Sequence, residues 1–203
     1  RSSDLLVKNG ATFINSSTTT AGTASLNLAN FGATVVAQSG STFAADKAIS
    51  GTLHIDTDVV TNGFARTYTE KGMIQAENAD ALKLVSDSAL FDAKLADNGS
   101  DVIMQMKGFD TATSNKSLAD FLTKNYAAGN NEAFYNKLKS FADVHSLTDS
   151  LNKLTGKEML SRFNFEDMTM MRELNFDMNE KLFHNKEQHF ALAGSVSPMA
   201  FKR

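Results

Sequence analysis

The feature of this chain that most constrains its fold is a short motif, a glycine followed by Ala, Ser or Thr, which recurs through the first half of the sequence. The motif stands in short runs of β-forming residues at 9–13, 31–35, 39–43 and 50–53. Intervals of 22, 19 and 21 residues separate Gly10, Gly32, Gly51 and Gly72, and further glycines fall between them at 22, 40 and 63. A repeat of this length is typical of a β-solenoid, in which the strands of each coil stack on the previous coil.

The residues between the glycines fit the strands of such a coil. Leu53 and Ile55 alternate with His54 and Asp56, which turns the apolar side chains to one face. An antiparallel β-sandwich also consists of short strands between turn residues and is the alternative. The abundance of Ala, Ser, Thr and Asn favours the solenoid, because small residues stack in register whereas a sandwich core needs more bulk. We therefore predict a mainly β fold, with a right-handed parallel β-solenoid over residues 1–110.

Residues 74–109 are more hydrophobic than the coils before them. Two apolar runs, at 89–95 and 102–106, flank a turn at 97–100, and this pattern predicts a β-hairpin. An open stack of coils needs a cap, because its last coil presents unpaired backbone groups and bare core. We expect residues 74–109 to be that cap.

The stretch from 111 to 187 is predicted to be a helical linker. Ser117 and Ser146 are candidate N-caps of two short helices, and Gly129 separates the first from a helix whose apolar positions continue to Val144. A longer amphipathic helix is predicted over 166–187. Its apolar face is rich in methionine and consists of Met168, Met171, Leu174, Met178 and Leu182. Taken alone, this helix fits ordinary packing on a domain.

The sequence period changes to two after this helix. Phe190, Leu192 and Val196 alternate with small or polar residues up to Pro198. Residues 188–197 are long enough for one β-strand to cross a bilayer, and a strand of a soluble domain is the alternative. On the period alone a strand of a soluble domain is the commoner case; the start of a first barrel strand in residues 188–203 is what the resemblance described below implies.

Composition excludes several classes of function. The chain has 20 Lys and Arg against 23 Asp and Glu, and a net charge of −3 does not supply the cationic surface that nucleic acid binds. The sequence predicts no transmembrane helix, since it lacks an apolar stretch of about eighteen residues. The absence of Cys excludes disulfides, zinc held by Cys and thiol chemistry. The chain begins Arg1-Ser2-Ser3, without a start Met, from which we expect it to be part of a longer protein.

No catalytic, cofactor-binding or metal-binding residue is predicted. The histidines, at 54, 145, 184 and 189, form no His-Glu-x-x-His motif. His184 and His189 lie on either side of Glu187, but solvent-facing polar residues at a helix end explain them better than a metal does. His54 and Asp56 with a serine would need the geometry of a triad, and the sequence contains no Gly-x-Ser-x-Gly elbow. Their alternation with apolar residues predicts exposed strand positions.

Three stretches together resemble the passenger-to-barrel junction of a Gram-negative autotransporter, a type V secretion protein. They are the Gly-Ala-Thr coils, the run 88–95 with Asn98-Gly99 and 102–106, and the run 147–160 that leads into the long helix. The second resembles the end of passengers that carry a subtilisin-like protease domain. Within the third, residues 151–157 are similar to a Leu-x-x-Leu-Ser-Gly-Glu segment of that family, with Thr155 in place of the Ser and Lys157 in place of the Glu.

The resemblance implies a solenoid stalk whose C-terminal coils act as an autochaperone, followed by a helix in the barrel pore and then the barrel. It implies no cofactor, and it names as partners the protein's own outer-membrane barrel and the barrel-assembly machinery, with membrane contact at the C-terminal end. The expected location is the cell surface or outer membrane, or the secreted fraction. The alternatives are the C-terminal part of a subtilisin-like serine peptidase, or an adhesin whose solenoid binds host surfaces.

Two groups of residues carry these expectations. The candidate pore helix is the stretch from Met168 to Phe183. The candidate folding nucleus of the stack is a set of apolar residues near the predicted cap: Leu82, Leu84, Leu90, Phe91, Leu95, Val102 and Met104.

Overall fold

The structure is a computed structural model, and it describes residues 4–15 and 24–153 of the chain. In this part of the chain eleven β-strands precede three α-helices. The strands are β1 Asp4–Val7, β2 Thr12–Asn15, β3 Leu26–Asn27, β4 Thr34–Ala37, β5 Thr42–Ala45, β6 Ile49–Ile55, β7 Thr67–Glu70, β8 Ile74–Gln75, β9 Leu82–Ser86, β10 Phe91–Leu95 and β11 Val102–Met106. The helices are α1 Lys116–Ala128, α2 Glu132–Lys139 and α3 Val144–Asn152. The prediction of strands first and helices after them is confirmed for these residues.

Parallel pairing joins most strands of the first half. One ladder runs in the order β1, β4, β6 and β9, and a second runs β2, β5 and β8. A short third ladder pairs β3 with the start of β6. The predicted alternative, an antiparallel sandwich, is therefore wrong for these strands.

The spacing of the ladders differs from the predicted glycine repeat. Asp4 lies opposite Thr34, 30 positions later, whereas Val35 lies opposite Leu53, 18 positions later. The next step, from Gly51 to Leu82, is 31 positions. A uniform interval of about twenty residues is therefore wrong, because the segments between paired strands vary in length.

Apolar side chains of the paired strands form the core beneath the ladders. Val35 and Leu53 lie in register and are 1% and 0% exposed. Phe13 lies opposite Phe43, with ring centroids 5.7 Å apart, and Phe43 is fully buried. Burying one such side chain contributes about 1.5–3 kcal/mol to folding.

Three later strands form an antiparallel sheet in the order β10, β11 and β7. Phe91 pairs with Met106 and Leu95 with Val102, so the predicted hairpin is confirmed. β11 also pairs with β7, which lies between β6 and β8 in the chain. We call β7, β10 and β11 the cap sheet.

The starts of two helices differ from those predicted, whereas one predicted end is confirmed. Asn115 is the N-cap of α1, because its side chain accepts a hydrogen bond from the Leu118 N–H, so the choice of Ser117 is wrong. The predicted separation at Gly129 is confirmed, since this residue ends α1 in the left-handed conformation. α2 ends at Lys139, and α3 already begins at Val144, so Ser146 lies inside a helix rather than at its cap.

The described chain divides into two compact units. The first contains the strands up to Lys107 together with Asn136–Val144, and the second contains Gly108–Tyr135 and the described residues from His145. In the second unit, Phe109, Tyr126 and Tyr135 pack ring against ring, and the Tyr135 hydroxyl donates to the Leu122 carbonyl at 2.6 Å.

Several predictions fall outside the described residues. They concern the Met-rich helix over 166–187, the candidate pore helix from Met168 to Phe183, and the alternating strand at 188–197. Among the residues that the structure describes, no helix is long and apolar enough to span a membrane.

Candidate functional site

The end of the first parallel ladder is the part of the molecule that corresponds to the predicted folding nucleus. β9 pairs with β6 on one side, from Gly51 opposite Leu82 to Ile55 opposite Ser86. Among the described strands, none pairs with its other side. After a short connection the chain enters β10 and the cap sheet. The last strand of a parallel stack and the first strand of the antiparallel hairpin are therefore consecutive.

The predicted nucleus residues divide by burial. Leu90 and Phe91 are 1% exposed, and Val102 and Met104 are 0% exposed. Leu82, Leu84 and Leu95 are half-buried. Leu84 lies opposite Leu53 of the parallel core, whereas Leu95 lies opposite Val102 of the hairpin. The predicted nucleus residues therefore lie on both sides of the junction between the first parallel ladder and the cap sheet. The most buried of them belong to the cap sheet or directly precede it.

A segment that the sequence analysis did not select, residues 136–144, belongs to the same unit as the cap sheet. We call it the clasp segment. The Asn62 N–H donates to Asn136 Oδ1 at 2.8 Å. Lys139 Nζ donates to the Gly63 carbonyl at 2.9 Å and to the Tyr68 hydroxyl at 3.1 Å. The Ala89 N–H donates to the Phe141 carbonyl at 2.7 Å. A lysine is rarely fully buried, so the sequence carried no signal for these contacts.

An open groove of about 410 Å³ lies between β9, β10 and the end of the clasp segment. Its lining combines apolar side chains, among them Leu84, Phe91 and Val144, with the polar pair Lys107 and Asp92, whose Nζ and Oδ1 atoms are 3.9 Å apart. Ser88 also belongs to the lining, but its hydroxyl oxygen is buried and has no hydrogen-bond partner. The groove is thus of mixed polarity and open to solvent.

His54 is paired with a carboxylate other than the one considered from the sequence. Its Nδ1 lies 2.8 Å from Asp87 Oδ1, across the β6–β9 ladder, whereas Asp56 accepts a hydrogen bond from Gln38 Nε2 at 3.0 Å. The His54 side chain is 24% exposed, so the prediction of an exposed position is wrong. His54 borders a second groove of about 400 Å³ with Thr34 and Thr52. In the described part of the chain, no group of three His, Cys, Asp or Glu side chains is placed to hold a metal ion.

Three carboxylates converge on the turn between β4 and β5. The Ser39 N–H donates to both oxygens of Asp58, at 3.0 and 3.1 Å, and the Gly40 N–H donates to Glu70 Oε2 at 3.1 Å. The Ser39 hydroxyl also donates to Glu70. Partial burial raises the pKa of Asp58, and the negative charges of Asp56 and Glu70 raise it further, against the hydrogen bond from Ser39. These contacts hold the turn in place on the segments that follow it.

The ring of Phe13 contacts the rings of Phe31 and Phe43. Phe43 is fully buried, Phe13 is half-buried, and Phe31, with a ring 5.0 Å from that of Phe13, is 44% exposed. Asn98-Gly99-Ser100 and Asn115-Lys116-Ser117 match the short glycosylation pattern Asn-x-Ser, and both asparagines cap local structure: Asn98 accepts from the Ser100 and Asp101 N–H groups, and Asn115 caps α1. The aromatic residues therefore stack mainly inward, and only Phe31 offers a largely exposed ring in this group.

Comparison with known proteins found no family model that matches the chain, and no matching curated protein or solved structure. In the described residues the geometry therefore shows parallel strands that end beside an apolar antiparallel hairpin, followed by three helices. At this junction one edge of β9 pairs with no described strand, and the apolar side chains of the hairpin are buried beside it.

Proposed function

We propose that this chain is a non-catalytic passenger-end and linker module of an autotransporter, and that its junction of β9 with the cap sheet acts as an autochaperone for the strands before it. The observation that carries the proposal is the direct succession of the last parallel strand and a buried apolar hairpin. In this proposal the chain acts at the cell surface or outer membrane, or is secreted, and its partners are its own barrel and the barrel-assembly machinery.

We also propose that the parallel strands are successive coils of a β-solenoid. Three short ladders support this: β1 and β2 pair with β4 and β5, and β3 pairs with the start of β6. The Gly10 N–H donates to the Gly40 carbonyl at 3.1 Å, so equivalent corners lie one above the other. A chain that revisits the same faces in the same order, with parallel pairing on each, has the topology of a stack of coils.

The physical role follows from how such a stack grows. Each coil buries its apolar face and satisfies its backbone only against a neighbour, so the first coil to form has no template. A hairpin pairs locally and at low cost in chain entropy, because its strands are separated by a short turn. The hairpin β10–β11, with Phe91 and Met104 buried, is thus suited to form first and to present β9 to the remaining strands.

The test is the substitution Phe91→Asp in the complete chain, with Lys94→Asp as a matched control on the same strand. Phe91 is 1% exposed whereas Lys94 is exposed, so only the first change buries a charge without a partner. We expect Phe91→Asp to lower the protease resistance of the strand unit and to slow refolding from urea by about tenfold or more, because the residue belongs to the proposed nucleus. The control should refold at the wild-type rate.

The secretion role needs a second readout, with the chain fused to its own barrel in an outer membrane. Surface display of the strands should fall with Phe91→Asp and remain with Lys94→Asp. Unchanged display and unchanged protease resistance of the Phe91→Asp protein would refute the autochaperone assignment.

A further inference from the structure

We infer that the clasp segment, residues 136–144, is part of the folding nucleus of the strand unit, and that Lys139 is its positioning residue. This inference rests on the proposed autochaperone role and extends the nucleus to a stretch about thirty residues beyond the hairpin, the interval from Met106 to Asn136. It concerns a segment that lies within the predicted linker.

The clasp segment contacts residues in or next to both edge strands of the cap sheet, β7 and β10. Asn136 and Lys139 bind the loop before β7 and the Tyr68 side chain of β7 itself. Phe141 binds the Ala89 N–H, two residues before β10 begins. β7 and β10 are the two outer strands of the sheet, which is ordered β10, β11 and β7. The clasp segment therefore joins the two edges of a sheet whose strands come from distant parts of the chain.

The burial of Lys139 and its directed hydrogen bonds indicate that this residue positions the clasp segment on the loop before β7 and on β7 itself. Its side chain is 0% exposed, and its ammonium group donates to Gly63 and Tyr68. Taking a charge out of water is costly, and the cost is offset only where the buried group is well hydrogen-bonded. What an apolar residue lacks is a set of directed donors. Lys139 therefore fixes the position of the clasp segment relative to the loop at 62–63.

The same interaction reaches the core of the predicted nucleus. The Tyr68 ring packs edge-on against Phe91, with centroids 5.8 Å apart, and its hydroxyl donates to the Asn62 carbonyl at 2.7 Å while it accepts from Lys139. Tyr68 thus links the ammonium group of the clasp segment to the buried ring of β10. Because sheet and clasp share this residue, we infer that they form in one step.

The experiment compares folding and unfolding rates of the complete 203-residue chain carrying Lys139→Met with those of the wild type. Lys137→Met is the matched control, since Lys137 is exposed on the same helix. Removing an interaction that is already formed in the nucleus slows refolding, whereas removing one that forms late speeds unfolding. We expect refolding of Lys139→Met to be about tenfold slower with unfolding changed less than about twofold, as full formation in the transition state requires. The control should match the wild type.

Pulsed hydrogen exchange during refolding supplies the second readout. We expect the amides of 136–141 and of 89–95 to gain protection in the same kinetic phase. If Lys139→Met does not fold, the same rate comparison is made with Asn136→Ala, which removes one hydrogen bond at a half-buried position. A wild-type refolding rate with faster unfolding, or protection of the strands before the clasp segment, would overturn the inference.

The outcomes separate this inference from the proposed function. Slow refolding of Phe91→Asp with normal refolding of Lys139→Met would leave the autochaperone role standing and remove the clasp segment from the nucleus. Normal refolding of both variants would refute the proposed role itself.

Discussion

Gly51 is a position in the parallel strands where both the backbone conformation and the surrounding space exclude a larger side chain. It lies within β6, where the chain leaves its pairing with β3 and continues between β4 and β9. Its φ is +94°, a conformation that costs an L-residue about 1–2 kcal/mol. A Cβ added at Gly51 would also lie 3.1 Å from the Ala29 nitrogen and 3.2 Å from the Leu28 nitrogen.

The expected cost of Gly51→Ala is the sum of these two effects. The neighbouring atoms belong to the main chain and to buried Leu28, so they cannot move aside cheaply. Overpacking of this kind costs about 1–3 kcal/mol, and with the conformational cost the free energy of unfolding should fall by about 2–5 kcal/mol. Gly72→Ala is the matched control, because Gly72 has φ +65° but no atom within 4 Å of an added Cβ. It should lose only about 1–2 kcal/mol.

The assay is urea unfolding of each variant, followed by circular dichroism in the β region and analysed by linear extrapolation. The difference between the two losses isolates the close approach of β6 to the 3-10 helix at Leu28–Phe31. Equal losses for Gly51→Ala and Gly72→Ala would refute the close approach. Wild-type stability of both would refute the conformational argument as well.

Other predictions concern single polar contacts. Asp58 has a raised pKa, so its ionised form destabilises the fold, and this cost appears as pH rises from the ordinary aspartate range through the folded-state pKa. We expect Asp58→Asn, which keeps an acceptor for the Ser39 N–H, to be more stable to urea than the wild type at pH 7. The gain should be less than about 1 kcal/mol, because the side chain is only partly buried and water screens its charge. The gain should vanish in acid; a gain independent of pH would contradict the argument. Tyr135→Phe should destabilise the second unit by about 0.5–1.5 kcal/mol, because it removes the buried hydrogen bond from the Tyr135 hydroxyl to the Leu122 carbonyl, a group that also accepts the helical bond within α1. Amide hydrogen exchange in α1 should be faster in the variant than in the wild type, and unchanged exchange would contradict the prediction.

The local pattern of the sequence predicted the strands and the hairpin because both depend on near neighbours. The hairpin needs only two apolar runs and a turn, and its register follows from Phe91 opposite Met106. The spacing between stacked strands did not follow from the glycines, because a glycine marks a turn of any kind. A better signal was present in the likeness of Gly10-Ala11-Thr12-Phe13 to Gly40-Ser41-Thr42-Phe43, which lie side by side, 30 residues apart.

The contacts of the clasp segment could not be predicted from sequence patterns, for a different reason. Lys139 and Gly63 are 76 positions apart, and a single lysine at the end of an amphipathic helix has the same appearance whether it is solvated or buried. The pairing of His54 with Asp87 rather than with nearby Asp56 is a similar case, since the partner comes from beyond β9. Contacts of this kind depend on the tertiary fold, which the residues around each member do not encode.

Polar contacts at the turns also explain how the parallel strands avoid slipping. Phe13 pairs with Phe43, and a shift of two positions would place Phe13 opposite Ser41 or Ala45 and lose this ring contact, so the core disfavours other registers of β2 and β5. The turn at 38–40 adds a constraint on the segments that follow it, because Asp56, Asp58 and Glu70 accept hydrogen bonds from three consecutive residues, Gln38, Ser39 and Gly40. A shift of two residues between this turn and those segments would break all three contacts. The register of the parallel strands therefore rests on the apolar packing of the core together with the carboxylates at this corner.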